Sequence, residues 1–287
     1  MAYTVNSAFD RFRQNIEPPP YQREVATSRK NRLVELLGDD FEILDTIATG
    51  SLPKYTAVKD HADLDIMLVL HYSKHIKDKL PSQVLLSVRN CLAKYRTGVR
   101  RNGQAVTLYY ETWPNVDIVP VSRSTNSDGS VSHYNVPNMN NETWIESQPL
   151  RHSNEMSERN GSFGDGFKRI VKMIKWWNHQ HSSLLQSYHI EVLALNILTG
   201  TFSDYPWDVF QFFDKSIPLV ESSLWHHIGF VDSYLDWQKR REIIKRLQTA
   251  RDKARDAWYL TYGTNNQNEE AITIWRQIFG DKYPSYG

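Results

Sequence analysis

The run Leu64-Asp65-Ile66-Met67-Leu68-Val69-Leu70 constrains this chain more than any other segment. Its five consecutive apolar residues fall far short of the roughly 20 that a membrane span requires, and their β-rich character reads as a buried strand. Asp63 and Asp65 stand at the head of that strand, two residues apart. Their side chains therefore point to one face, roughly 6.6 Å apart along the backbone. Taken alone, such a pair fits a site and a solvated strand end equally well, and both readings stay open at this point.

The flanking sequence places this strand in a mixed sheet. Tyr21 to Leu37 reads as a helix stopped by Gly38, Glu42 to Ala48 as a second strand, and Pro81 to Tyr95 as an amphipathic helix with Val84, Leu85, Val88, Cys91 and Leu92 on its apolar side. Ala105 to Tyr110 and Val116 to Val121 read as two more strands, close enough in sequence to be antiparallel neighbours. From Ser122 to Asn141 the chain holds five Ser and five Asn, a polar excursion expected to be a functional or mobile loop. Helical periodicity takes over from Gly166, over Phe167 to His179, Tyr188 to Leu198, Trp207 to Phe213, Trp237 to Tyr259 and Glu269 to Phe279. The expected fold is α+β, with a catalytic core over residues 1–150, a helical lobe over 151–287 and the ligand site in a cleft between them.

Composition excludes several classes. No apolar run is long enough for a membrane span, and the N-terminus MAYTVNSAFDRFRQ lacks a signal core. The single cysteine, Cys91, cannot form an intramolecular disulfide, so a reducing cytoplasm is the expected location. Lys and Arg total 34 against 33 Asp and Glu, a net charge of +1 that disfavours stable binding of duplex nucleic acid. Basic clusters at 94–101 and 239–246 remain as local exceptions. The histidine pairs 71/75, 179/181 and 226/227 lack Cys or acidic partners at zinc-site spacing, so no zinc is expected.

Carboxylates are the hard oxygen ligands that magnesium prefers, and it completes its shell with substrate phosphates and water. Asp117, in the strand NVDIVPV, supplies the third carboxylate that a pair of ions about 3.5 to 4 Å apart requires, with Val116 and Ile118 facing the other way. Gly50-Ser51 follows the first strand, where a glycine admits close backbone approach and the amides and hydroxyl can cradle phosphate oxygens. In FKRIVKMIKWWN, Lys168, Lys172 and Lys175 recur along one helix face that could bear a polyanion. Ser187, a good N-cap, opens the next helix beside Tyr188.

These residues together resemble the polymerase-β-like nucleotidyltransferases, and within them the CD-NTases, the cGAS/DncV-like enzymes related to oligoadenylate synthetases. The resemblance is carried by GSLPKYT from Gly50, DLD at 63–65, VDIVP at 116–120, KRIVKMIKWW at 168–177 and SYHIE at 187–191. It implies that Asp63, Asp65 and Asp117 hold two magnesium ions, with manganese a possible substitute. It implies further that Gly50, Ser51, Lys172, Lys175 and Ser187 hold the donor's triphosphate and that Tyr188 stacks on its base. Ser147 resembles a position facing a base, where Ser accompanies purines, pointing to ATP or GTP. The animal DNA sensors' zinc-binding insertion is missing, so the chain resembles a bacterial member that makes a cyclic di- or trinucleotide messenger in anti-phage signalling. The downstream receptor is not identifiable from sequence. Two alternatives stay open: transfer to a tRNA, protein or small-molecule acceptor, and a nucleotide-binding module without catalysis.

Overall fold

The computed structural model describes residues 2–287. Its elements run α1 (Val5–Ile16), α2 (Tyr21–Gly38), β1 (Ile43–Thr49), β2 (Leu64–Leu70), α3 (Tyr72–His75), α4 (Pro81–Ala93), β3 (Val99–Asn102), β4 (Ala105–Leu108), β5 (Val116–Thr125), β6 (Val131–Asn138) and β7 (Thr143–Ser147). Then come α5 (Pro149–Phe163), α6 (Gly166–Gln180), α7 (Ser187–Ile197), α8 (Tyr205–Glu221), the short pair β8 (Trp225–His226) and β9 (Gly229–Phe230), α9 (Trp237–Tyr259) and α10 (Asn268–Phe279). They group into a sheet unit, Pro18–Ser153, and a helical unit made of Asn154–Gly287 together with the segment through Glu17.

In the sheet unit the order β1-β2-β5-β4-β3 is completed by β6 on the far part of β5 and β7 on β6. Only β2 and β5 run parallel; the other pairs of this sheet are antiparallel. Strand alternation sends Leu64, Ile66, Leu68, Leu70, Val116 and Ile118 into one core with Leu33 and Leu37 of α2 and Val84, Leu85, Val88 and Leu92 of α4. Burying each such side chain contributes about 1.5–3 kcal/mol. Met67, Val69 and Val121 go to the opposite face, where they meet Tyr134 and Val136. Cys91 is core, as expected, its thiol pushed up to about 12 chiefly by burial.

The polar excursion is not a loop. β5 runs on to Thr125, turns through Asn126 to Ser130, where the Asn126 amide donates to the Ser130 carbonyl at 2.8 Å, and returns as β6. Its polar side chains satisfy one another across the ladder: the Asn135 amide group donates to Ser122 at 3.3 Å and to Ser124 at 3.2 Å, in a register that pairs Ser122 with Asn135. Only Tyr134 and Val136 alternate with the polar residues here, too short a pattern to stand out among the serines and asparagines.

The first residues also differ from the expectation that placed them in the catalytic core. α1 carries an apolar stripe of Val5, Ala8, Phe9, Phe12 and Ile16, capped by Thr4, whose hydroxyl accepts from the Ser7 amide. Phe9 meets Trp275 at 4.9 Å between ring centroids and Phe12 meets Phe279 at 4.6 Å, so this helix completes the helical unit's aromatic core. No helix among the described residues is long and apolar enough to cross a membrane.

Two buried titratable groups give the helical unit opposed pH responses. Burial pushes Asp208, near the start of α8, up to about 6 and His189, on α7, down to about 4. Folded protein keeps the Asp208 proton that the unfolded chain releases, so this term loses stability as pH rises from about 4 to about 6. Folded protein refuses the proton that unfolded His189 accepts below 6.5, so that term loses stability as pH falls from 6.5 to about 4. Asp208→Asn leaves the histidine term unopposed. Thermal melts should show the variant losing roughly 3 kcal/mol more than wild type between neutral pH and pH near 4; parallel profiles would refute this.

Candidate active site

Four strands put one row of polar residues across the sheet. Thr49 of β1 pairs with Asp65 of β2, Asp65 with Asp117 of β5, and Asp117 with Thr107 of β4. Residues in register share a face, and neighbouring strands lie about 4.8 Å apart, so Asp65 and Asp117 stand side by side. They face away from α2 and α4, because Leu64, Ile66, Val116 and Ile118 take that side. Asp63 adjoins them at the head of β2. The three carboxylates identified from sequence are therefore together, each half-buried.

Their surroundings hold them in place. Thr107, only 2% exposed, donates its hydroxyl proton to Asp117 Oδ1 at 2.5 Å. Asn115 hydrogen-bonds the Asp63 carboxylate through side chain and backbone, accepts the Leu64 amide at 2.9 Å on its carbonyl, and accepts the Tyr110 amide at 3.0 Å on its side chain. Burial, followed by the charge of Asp117, raises the pKa of Asp63 and outweighs those hydrogen bonds. Gly50 turns at φ +75, and a Cβ there would fall 1.8 Å from Asp65 Oδ2. The glycine is what lets a carboxylate lie against the backbone. Crowded hard oxygen donors, one of them resisting ionisation next to another, fit a divalent cation that neutralises them.

Gly50→Ala should destabilise the protein by about 1–2 kcal/mol through its left-handed backbone. It should also displace the Asp65 carboxylate and weaken divalent-cation binding far more than that loss of stability explains; retained cation affinity with a lowered melting temperature would separate the two effects.

Ser51, half-buried, opens the turn after Gly50, with its carbonyl accepting the Thr56 amide at 3.0 Å. Ser147 ends β7, opposite Tyr134 of β6. In the helical unit, Lys172 and Lys175 of α6 are 5% and 3% exposed, so the lysine face read from the sequence is interior at these two positions. Lys175 Nζ lies 2.7 Å from Glu191 Oε1, and Lys172 is paired with Glu17. Gln186, not Ser187, is the N-cap of α7; Ser187 is its exposed first residue. Tyr188 is 38% exposed, its ring 5.9 Å from that of His226.

Sequence reasoning missed Thr107, Asn115, Glu17 and Glu191. The signal for the first two was a lone polar residue inside an apolar strand and an amide two positions before Asp117; the glutamates gave none, since ion-pair partners distant in sequence leave no spacing to read. The same blindness affected the histidines. Glu155 reaches His227, 72 residues away in sequence, at 2.7 Å and His226 at 3.3 Å, so the absence of an acidic partner does not hold for that pair.

A mixed sheet with helices on one face and three carboxylates on the other can hold divalent cations against a phosphate ester. The structure of E. coli MS115-1 CdnC with ATP shares this fold, with a TM-score of 0.76, 20% identity and coverage of 98% of this chain and 99% of that one. Residues 3–160 match the Second Messenger Oligonucleotide or Dinucleotide Synthetase domain, and the chain belongs to that family. A relative from Bacillus cereus (strain VD146), named a probable cyclic nucleotide synthase, is 24% identical over 100% of this chain and 99% of its own length. A cyclic AMP-AMP-AMP synthase of Acinetobacter sp. (strain ATCC 27244 / 9458) is 23% identical over 94% of this chain and 82% of its own.

Proposed function

We propose that the protein joins nucleoside triphosphates, purine ones preferred, into a cyclic di- or trinucleotide messenger in a bacterial cytoplasm, and that Asp63, Asp65 and Asp117 do so with two magnesium ions, which manganese can replace. The observation that carries this reading is the register of Asp65 opposite Asp117, with Asp63 at the head of the same strand. Divalent ions held there would supply Lewis-acid polarisation of the reacting phosphate and of the attacking hydroxyl.

The remaining work falls to the chain's own groups. Asp117 takes the proton of the acceptor hydroxyl while Thr107 holds its other side in place. That hydroxyl oxygen bonds to the donor's α-phosphorus as the bond to the β-phosphate oxygen breaks, and pyrophosphate leaves. Ser51 and the backbone at Gly50 orient the phosphates, Ser187 adds a hydroxyl to them, and Tyr188 offers a face to the donor base. Lys172 and Lys175, each beside its glutamate, serve the terminal phosphates by the resemblance that singled them out. Ser147 favours a purine by the same resemblance that singled it out.

The test is to incubate purified protein with each labelled nucleoside triphosphate and Mg²⁺ or Mn²⁺, treat with phosphatase, and separate the products. Small products that resist phosphatase and yield to nuclease support cyclisation. No pyrophosphate from any combination refutes the proposal, and label found only in added RNA or protein replaces the acceptor.

A further inference from the structure

The C-terminal ends of α6 and α10 and the middle of α9 border a cavity of about 120 Å³ in the helical unit. Trp177, Ala250 and Ile278 give it an apolar floor. Around them stand Lys245, Arg246 and Lys253 of α9, with His181, Gln277 and Glu242. Arg246 Nε is 2.7 Å from Glu242 Oε1, and its Nη1 donates to the His181 carbonyl, which fixes the guanidinium at the rim. Glu242 thus offsets one of three cations and leaves two positive charges in excess.

We propose that this cavity is a binding site for a phosphate group, held by Lys245, Arg246 and Lys253. About 120 Å³ holds several waters, and so has room for a tetrahedral oxyanion. Its donors suit that guest, since guanidinium and ammonium groups make charge-assisted hydrogen bonds to several phosphate oxygens at once.

His181 reports on occupancy. Its Nδ1–H donates to the Trp177 carbonyl at 2.7 Å, and its ring lies 5.1 Å from that of Trp177. Burial, then the charges of Arg246 and Lys253, hold its pKa below the ordinary value. The charged groups around the cavity are Glu242, Lys245, Arg246 and Lys253, all from α9; α10 contributes only Gln277 and Ile278. An anion seated between the cations cancels the repulsion, so His181 takes up a proton more readily and phosphate binds more tightly on the acid side.

Orthophosphate binding is measured by calorimetry, and the His181 imidazole is titrated by NMR with and without it. The His181 titration should move to higher pH with phosphate. Lys245→Gln and Lys253→Gln should each weaken binding on the order of tenfold, the size of one charge-assisted hydrogen bond, while Lys253→Arg retains it. A second arm uses ATP without divalent cation: a shift of His181 at lower ATP than orthophosphate assigns the phosphate group to a nucleotide's tail, and the reverse assigns the free ion. A His181 titration unmoved by either, or both Gln variants binding orthophosphate like wild type with unchanged melting temperatures, overturns the proposal.

Discussion

Asp65→Asn and Asp117→Asn should each cut pyrophosphate release by roughly a thousandfold or more, the loss expected when several kcal/mol of charge stabilisation disappear from the reacting phosphate. The shape of the side chain is kept, so a melt should show a folded protein. Asp63→Asn sharpens the test. Ionised Asp63 is opposed by burial and by Asp117, so its replacement should leave the melting temperature unchanged or higher while activity collapses. Thr107→Val should fall between these and wild type, because it frees Asp117 without removing its charge. Full turnover by Asp65→Asn and Asp117→Asn together would falsify the assignment of these carboxylates.

Glu191→Leu should cost about 3–5 kcal/mol of stability, because it leaves the interior Lys175 ammonium without its carboxylate. Glu191 is 1% exposed and Lys175 3%, so water cannot take the carboxylate's place. The double variant Lys175→Met/Glu191→Leu, which buries neither charge, should recover most of that loss. Denaturant unfolding of the four proteins of this cycle measures the coupling directly. Activity then separates two roles for Lys175: a double variant that is stable but releases pyrophosphate slowly places the ammonium on the donor's phosphates, whereas full activity confines it to joining α6 and α7.

What could be read in the sequence follows from how local each signal is. β2 is legible to the residue because an apolar run and two aspartates define it, and the antiparallel pairing of β4 with β5 follows from the short connection between them. The parallel register that sets Asp65 opposite Asp117 is not legible, since α3, α4, β3 and β4 intervene and no spacing encodes a strand alignment across them. The β5–β6 hairpin hides behind serines and asparagines that bond to one another. The stripe of α1 is local and was passed over; only its partners, at the other end of the chain, leave no signal beside it. Lys172 and Lys175 were legible as lysines on a helix face, but their glutamate partners lie on other elements, and with them the fact that both ammonium groups are interior.

The return of α1 to the helical unit also dictates an order of events during synthesis. The Val5 amide donates to Asn268 Oδ1, a contact between residues 263 apart in sequence. A chain emerging from the ribosome presents α1, with Phe9 and Phe12 bare, before the sheet unit, and only much later the aromatic residues of α10 that cover them. Closing so long a loop is slow, so the sheet unit can reach its native form while α1 waits. During that interval the three aspartates can already stand in their row while α1 still lacks the aromatic residues that cover it.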